Sequence, residues 1–565
     1  MQHAWEVAVI GRPLFVGSLV ALAGVAGCAA KDNTVTGHGP LPPCSSAAST
    51  VTLPAGGYTA YDITSDSGCA VFPANTSTSD SAEYLVVVQS GGGTPGDSAA
   101  LQVETRLSGP AFASARAPAA PPSGTRGHNA IQRSFDAFLR ARTRRLAPEA
   151  ARTALRSSVL PGPAKVVTPP DSGSLRQFSV CSDLDCSTYA TVTGRALYVG
   201  AHVALYVDTL APAGGLSSVD VDSLGKLFDQ VVYPLDTAAF GPVSDVDSNG
   251  VVIALLTNVV NQIVTAAQCD SAGYVTGFFD SSDLDPATAA QHNDGEVFYG
   301  LVPDPAGALS CPHAVAEVTG ELPPTFAHEF EHMINFVQHV LVRGGPPEDD
   351  WLDESLAKYA EELTADGYLA AGDSTDWFYD VGSEFYNAYQ YLEAPDQHFL
   401  LTTTDQSLAD VGAGWLFVRY LVDQMGTGIT PRLVQTSLTG TANVAAQTGL
   451  PFATLDERWA LANWVGDLPG FAPPGELTYT TYSLRAWYAD LYEVDPLDFP
   501  LPFPLVPYLA TPGVLDVSGS LHAGSGLYLV VQQKPGGGAD TLHVNAGGTP
   551  VPASLVPQFA VIRLK

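Results

Sequence analysis

Two neighbouring stretches of this 565-residue chain carry polar side chains at helical spacing on faces opposite their apolar side chains, which asks for two helices meeting polar face to polar face. In the first, Phe326, Phe330, Met333, Ile334, Val337 and Leu341 form an apolar stripe, and His328, His332, Asn335 and His339 lie opposite it. Pro323-Pro324-Thr325 predicts the helix start, with Thr325 as N-cap, and Gly344-Gly345-Pro346-Pro347 predicts its stop. In the second, from Trp351 to Leu363, Leu352, Leu356, Tyr359 and Leu363 share one face and leave Glu354, Lys358 and Glu361 on the other. The two polar faces can then meet across a metal ion.

The residue types on these faces specify that ion's chemistry. His328, Glu329 and His332 form an H-E-x-x-H pattern, in which imidazoles four residues apart reach one ion while the glutamate leans over its bound water. A catalytic zinc needs three protein ligands and one open position, and Glu354 offers the third. Glu361 lies two turns further along the same face as an alternative ligand or a group behind the ligands, and spacing does not choose between them. The competing reading of the first stripe is a solvated helix face, and His339 reads as an ordinary polar-face histidine and not as a ligand. Asn335 and Gln338 stand where a metzincin would place a glycine and a third histidine, which excludes that subclass. The only methionines are Met1, Met333 and Met425, so a G-x-M-E-N signature is absent, and no G-x-S-x-G elbow occurs. A His-His-Glu endopeptidase pattern remains.

The run His328-Glu-Phe-Glu-His-Met-Ile-Asn-Phe336, followed by Trp351-Leu-Asp-Glu-Ser-Leu-Ala-Lys-Tyr-Ala-Glu361, resembles the hyicolysin family of secreted bacterial neutral zinc metallopeptidases, which are gluzincins. The resemblance extends more loosely to Leu197–Asp208, Asp245–Gly250, Gly295–Tyr299 and Gly412–Leu421, and so covers the middle of the chain. It departs at Glu331, where glutamine is common, and at Asp353 and Ser355, where asparagine and glycine are common. It implies a gluzincin-type peptidase domain, with a mixed sheet and a helical subdomain carrying the H-E-x-x-H helix; with the strand patterns at the two ends read as N- and C-terminal β-sandwich-like domains, the fold class is α+β. It implies one catalytic Zn2+ held by His328, His332 and Glu354, with Glu329 as general base and protein or peptide substrates. Glu361 is then left for a place behind the ligands, and Asp353 either holds a histidine tautomer there or is an ordinary charge at a helix N-terminus. An oxyanion-stabilising tyrosine or histidine is expected among Tyr379, Tyr386, Tyr389 and His398, with aromatic packing as the alternative for each. The alternative for the whole chain is a non-catalytic cell-surface binding or adhesion protein that keeps a metalloprotease-like fold.

The ends of the chain speak to location and layout. Residues 1–27 read as a lipoprotein signal peptide, because the apolar run Leu14–Gly27 is too short for a comfortable span and ends at Val25-Ala-Gly-Cys28, which resembles a bacterial lipobox. Cys28 would carry the lipid, placing the chain on the bacterial cell envelope; ordinary secretion is the competing reading. The other six cysteines fall in neighbouring pairs, Cys44 with Cys69, Cys181 with Cys186, and Cys269 with Cys311, although six allow fifteen connectivities. A formal net charge of −33 argues against nucleic acid and against anionic membrane surfaces, so membrane contact is expected only through the lipid, and the chain is read as a monomer.

The length suggests roughly three domains. Residues 28–107 read as a β domain whose strongest strand is Tyr84–Gln89, and residues 108–164 as a linker followed by a basic helix, Ala130 to Leu155, with Arg140, Arg142, Arg144 and Arg145. That helix is either an inhibitory or processed propeptide element or a basic helix docked on an acidic neighbour, the preferred reading. Residues 165–470 form the peptidase region, with strands at Ala196–Asp208 and Val251–Leu256. Asp245, Asp247 and Asn249 begin like a calcium loop, making Ca2+ a candidate ion, but Leu256 stands at the twelfth position and a tight Asn-Gly turn explains the pattern as well. Residues 471–565 read as a second β domain, and Leu527–Gly538 echoes Tyr84–Gly93.

Overall fold

The computed structural model describes residues 49–64, 68–106, 130–159, 167–285, 287–288, 292–370, 372, 374–403, 406–510 and 514–565. The signal-peptide and lipobox reading, with Cys28, and Cys44 lie outside them. No helix among the described residues is long and apolar enough to cross a membrane.

The strands are β1 (Ser49–Thr50), β2 (Tyr58–Asp62), β3 (Cys69–Phe72), β4 (Ala82–Ser90), β5 (Ser98–Arg106), β6 (Leu175–Cys181), β7 (Tyr189–Val199), β8 (Val203–Asp208), β9 (Val252–Leu256), β10 (Gly277–Phe279), β11 (Val297–Gly300), β12 (Tyr508–Ala510), β13 (Val514–His522), β14 (Gly526–Gln533), β15 (Asp540–Asn545) and β16 (Pro557–Arg563). The helices are α1 (Ala130–Val159), α2 (Ser218–Leu227), α3 (Tyr233–Ala239), α4 (Asn258–Gln262), α5 (Ala266–Ala272), α6 (Val315–Phe336), α7 (Asp350–Ala370), α8 (Ser374–Glu393), α9 (Leu408–Met425), α10 (Ile429–Val434), α11 (Gly440–Thr448), α12 (Phe452–Val465) and α13 (Leu484–Val494). The chain is thus a mixed α+β protein.

The central six-stranded sheet runs β10-β11-β9-β8-β7-β6. Strands β8, β9 and β11 are parallel neighbours, and β10 joins β11 antiparallel as the edge strand, its residues buried. Every residue of β9, Val-Ile-Ala-Leu-Leu, is buried, the continuous apolar run that a strand covered on both faces requires. The stretch read as one strand from Ala196 to Asp208 is two, folded back at Gly200–His202. A Cβ on Gly200 would lie 2.4 Å from the Asp229 carboxylate, which accepts the His202 and Val203 N–H groups at 2.6 and 3.0 Å and so fixes the turn.

Helix α6 lays its apolar stripe on this sheet: Phe326 stacks on Phe228 at 4.2 Å and meets Phe298 of β11 edge-on at 5.2 Å, and Phe330 stacks on Tyr233 at 5.5 Å. Its start corrects the expectation of a Thr325 N-cap. The helix begins at Val315, and Pro323 and Pro324 are inside it. Prolines withdraw N–H donors without preventing helical φ, and the Thr325 hydroxyl donates back to Glu321 O at 2.8 Å instead of capping. Helix α7 is anchored from behind: Glu362 accepts from Trp415 Nε1, Arg419 Nη1 and the Tyr482 hydroxyl at 2.9, 3.0 and 3.0 Å. Gly412 lets α9 approach closely, since a Cβ there would meet the α8 backbone at 2.2 Å.

The two ends of the chain do not form separate β domains. One five-stranded sheet runs β1-β3-β15-β5-β13 and the other β12-β14-β4-β16-β2, so each contains strands from both ends. The echoing segments are neighbours: β14 pairs antiparallel with β4, Tyr84 opposite Val531 and Val88 opposite Leu527. The physical reason is the pairing of the long N-terminal strands: β4 is flanked by β14 and β16, and β5 by β13 and β15, so the tail satisfies both edges of each. Strand β4 is buried almost throughout because α12 covers its outer face, with Gln89 Nε2 donating to Asp456 Oδ2 at 2.6 Å and the Tyr528 hydroxyl to Ala460 O at 2.8 Å. Residues 471–507 carry α13, whose Trp487 stacks on Phe385 of α8 at 5.2 Å, so the strands of the tail begin only at Tyr508.

Two expected disulfides form, Cys181–Cys186 and Cys269–Cys311. Cys69 is also disulfide-bonded.

Candidate metal centre

Helices α6 and α7 face each other with their polar stripes inward and buried. His332 Nε2 lies 3.1 Å from His328 Nε2, and Glu354 places Oε1 3.7 Å from His328 Nε2 and Oε2 3.9 Å from His332 Nε2. Ligands held at about 2.0–2.1 Å around a tetrahedral ion stand roughly 3.4 Å apart, so these three side chains fit a zinc-sized ion. His328, His332 and Glu354 form a group able to hold a metal.

Carboxylates stand behind both imidazoles. His328 Nδ1 is 2.7 Å from Glu361 Oε1, and His332 Nδ1 is 3.1 Å from Asp353 Oδ2. Glu361 also accepts from Lys358 Nζ at 2.7 Å. The structure therefore separates the two glutamates that spacing left equivalent: Glu354 reaches both Nε2 atoms, whereas Glu361 bonds the far side of one ring.

Burial would raise the Glu354 carboxyl, but Arg140, His328, His332 and Lys358 bring it down to about 2. Burial likewise opposes ionisation of Glu361, and Lys358 with His328 outweighs it, again giving about 2. His328 is lowered by burial, while His332 is raised to about 10 because Asp353, Glu329 and Glu331 outweigh burial. Both carboxylates are thus ionised across the neutral range, as ligands or partners of ligands must be.

Glu329 lies beside His332 in a cavity also lined by Asp136, Arg140, Phe279, Asn335 and Asp353. Its Oε2 accepts the Phe279 N–H of edge strand β10 at 3.0 Å. Burial, then the neighbouring Asp136, pushes its carboxyl well above the usual range.

Three of the four expected oxyanion groups are not brought here. Tyr389 is buried with its hydroxyl accepting Leu501 N–H at 2.7 Å, Tyr386 packs edge-on to Phe499 at 6.0 Å, and His398 lies 3.8 Å from Asp410; none of the three lines the cavity. Their aromatic rings fill the space between α8, α9 and the tail. The Tyr379 side chain lies outside the described part of α8. His339 is not on a solvated face: it is fully buried, 3.8 Å from Glu348.

Asp245 and Asp247 come within 4.8 Å of a partner sequence reasoning missed, the buried Glu296. Asn249 Oδ1 accepts Val251 N–H at 2.7 Å, and Arg176 already bonds Asp247 at 3.0 Å. The φ of +61° at Ser248 and +75° at Gly250 marks a tight turn.

The other residues the sequence did not assign to the site come from α1. Arg140 Nη1 donates to Glu354 Oε2 at 2.6 Å, and Asp136 enters the cavity beside Glu329. The run of arginines was the visible signal; the surface it would dock on was not.

Fold and site define a mixed α+β protein with a buried His-His-Glu cluster suited to a divalent metal. No protein-family model matches the chain. It is similar to Neutral metalloprotease ShpI of Staphylococcus hyicus, with 27% identity over 209 residues that make up 36% of this chain and 42% of that protein. The chain therefore matches less than half the length of this relative, a distant likeness to a metalloprotease.

Proposed function

We propose that the chain is an exported zinc-dependent endopeptidase of the gluzincin kind, anchored to the cell envelope through a lipid on Cys28 and acting as a monomer on protein or peptide substrates. The observation that carries this reading is the convergence of His328, His332 and Glu354 within ion-binding distance, with Glu329 on the same cavity. The likeness to a neutral metalloprotease points the same way.

Bound zinc would supply Lewis acidity toward a scissile carbonyl and toward a water molecule. His328 offers Nε2 because Glu361 holds its Nδ1 proton, which fixes tautomer and ring orientation, and the Asp353 carboxylate 3.1 Å from His332 Nδ1 favours the same tautomer there. Glu329 has one carboxylate oxygen fixed by Phe279 N–H and uses the other to take the water's proton and pass it to the leaving amine.

The test is cleavage of casein and of a quenched-fluorescence peptide library, with and without a chelator, together with zinc content. Chelation should stop cleavage and added zinc restore it. A chain that holds zinc yet cleaves nothing at any pH would point to the non-catalytic surface protein.

A further inference from the structure

We propose that α1 is a pseudosubstrate that holds the cleft closed, its arginines filling carboxylate positions that otherwise receive the basic side chains of a polypeptide substrate. The inference rests on the peptidase reading of the same site and adds its regulation and its substrate class.

Three features of α1 carry it. First, the helix bonds the main chain at the start of the edge strand: Gln132 Nε2 donates to Gly277 O at 2.9 Å and Gln132 Oε1 accepts from Thr276 N at 2.7 Å. One side-chain amide thus occupies main-chain groups at the entry to β10. Phe135 meets Phe278 of the same strand edge-on at 5.2 Å.

Second, successive turns on that face descend into the cavity. Asp136 and Arg140 line it beside Glu329 and His332, and Arg140 takes one oxygen of Glu354 while the other faces His328. A polypeptide substrate would have to occupy this space.

Third, beside the Thr143–Ser281 hydroxyl contact at 2.8 Å, α1 docks through charges that another polypeptide can supply. Arg142 bonds Asp280 at 3.0 Å, and Arg144 pairs with Asp350. The side chains of Asp280 and Asp350 are only 5% and 6% exposed. Departure of α1 alone would leave two buried carboxylates unpaired, which is costly. Replacement of its guanidinium groups by those of another polypeptide would not. The acidic wall therefore keeps α1 in place and selects arginine-containing chains to displace it.

The experiment uses the full chain loaded with zinc, with metal content measured, and two quenched peptides of one core sequence, flanked by arginine or by glutamate. The Arg140→Ala/Arg142→Ala/Arg144→Ala variant should cleave the arginine-flanked peptide about tenfold or more faster than the unaltered chain, the factor that about 1.4 kcal/mol of lost closure gives. It should also prefer that peptide to the glutamate-flanked one. A synthetic peptide of residues 130–151 should suppress the variant's activity, and the same peptide with the three arginines changed to alanine should not. Asp280→Asn/Asp350→Asn should raise activity and erase the preference for arginine.

Native zinc content and native melting in the triple variant, with an unchanged cleavage rate, would overturn the inference and leave the peptidase reading standing. Zinc binding without cleavage by any variant would overturn both. Should the triple variant misfold, amide exchange of α1 in the unaltered chain reads the same displacement. Saturating arginine-rich peptide should speed that exchange, and unchanged protection of α1 would overturn the inference.

Discussion

Glu354 and Glu361 sit seven residues apart on one face of α7, and helical periodicity makes them equivalent; only their depth against α6 distinguishes them. Glu354 faces both Nε2 atoms, and Glu361 meets Nδ1 of His328 at 2.7 Å. On the proposed assignment the two should fail differently. Glu354→Ala removes a ligand and should abolish zinc retention through dialysis. Glu361→Gln keeps the shape but weakens the hold on the His328 proton, and should loosen zinc by roughly 10- to 100-fold in competition with a fluorescent chelator. Equal affinity for the Glu361→Gln variant and the unaltered chain would remove Glu361 from the site. Glu329→Gln should retain full zinc while kcat falls by about 10²–10⁴-fold, because the lost group moves a proton and binds no metal. Loss of zinc in that variant would contradict its role as base. This much was legible in the sequence, because four-residue spacing translates directly into shared helix face. The oxyanion candidates were not, because an aromatic residue at the right distance along the chain carries no record of which way its ring points: Tyr389 turns toward Leu501.

A strand pattern shows that a segment pairs but not with what, and this limit decides what could be read of the elements. Tyr84–Gln89 and Leu527–Gln532 were recognisable as similar strands, yet their adjacency in one sheet depends on a register between residues more than 400 apart. The continuous burial of β4 has the same origin, since it requires α12 above it and β14 and β16 on either side. Prolines misled the reading of α6 for a related reason: Pro323-Pro324 is a start signal locally, but the buried contacts of Val318 and Leu322 extend the helix through it. The shared sandwich makes a clear prediction. A chain ending before Tyr508 leaves Leu85, Val86, Val87 and Val88, each 0% exposed in the full chain, without strands on both edges. The N-terminal strands should then fail to fold, seen as loss of β signal in circular dichroism, increased dye binding to exposed apolar surface, and low soluble yield. A truncated chain with a native-like β signal would show that the N-terminal strands fold alone.

Across the whole molecule, acidic residues outnumber basic ones 58 to 25, and for a share of the carboxyls burial outweighs any cation nearby, which fixes how stability should change with pH. Burial raises Glu321, Glu393 and Glu457 to about 7 and Glu348 to about 8. Unfolded glutamates titrate near about 4.3, so between there and neutrality the folded chain holds protons that the unfolded chain has released. Stability contributed by such groups is full below the unfolded value and is lost as pH rises through the folded one. The buried histidine His339 acts in the opposite sense but in another window. Burial lowers it to about 4, so its neutral folded form costs stability only once pH falls below the unfolded value of about 6.5. His332, raised to about 10, adds to the carboxyls above pH 6.5, because the folded chain keeps a proton there that the unfolded chain has released. From pH 6.5 to pH 8 the carboxyls and His332 therefore act in one direction, and the melting temperature of the metal-free chain should fall by roughly a few degrees in 0.15 M salt, where surface repulsion is screened. Replacing Glu393 and Glu457 with glutamine should flatten that slope, since neither amide titrates. A melting temperature that is level or rises over this interval would mean that these carboxyls are ionised within the folded chain, and that its acidic interior is hydrated or paired in a way the packing does not show.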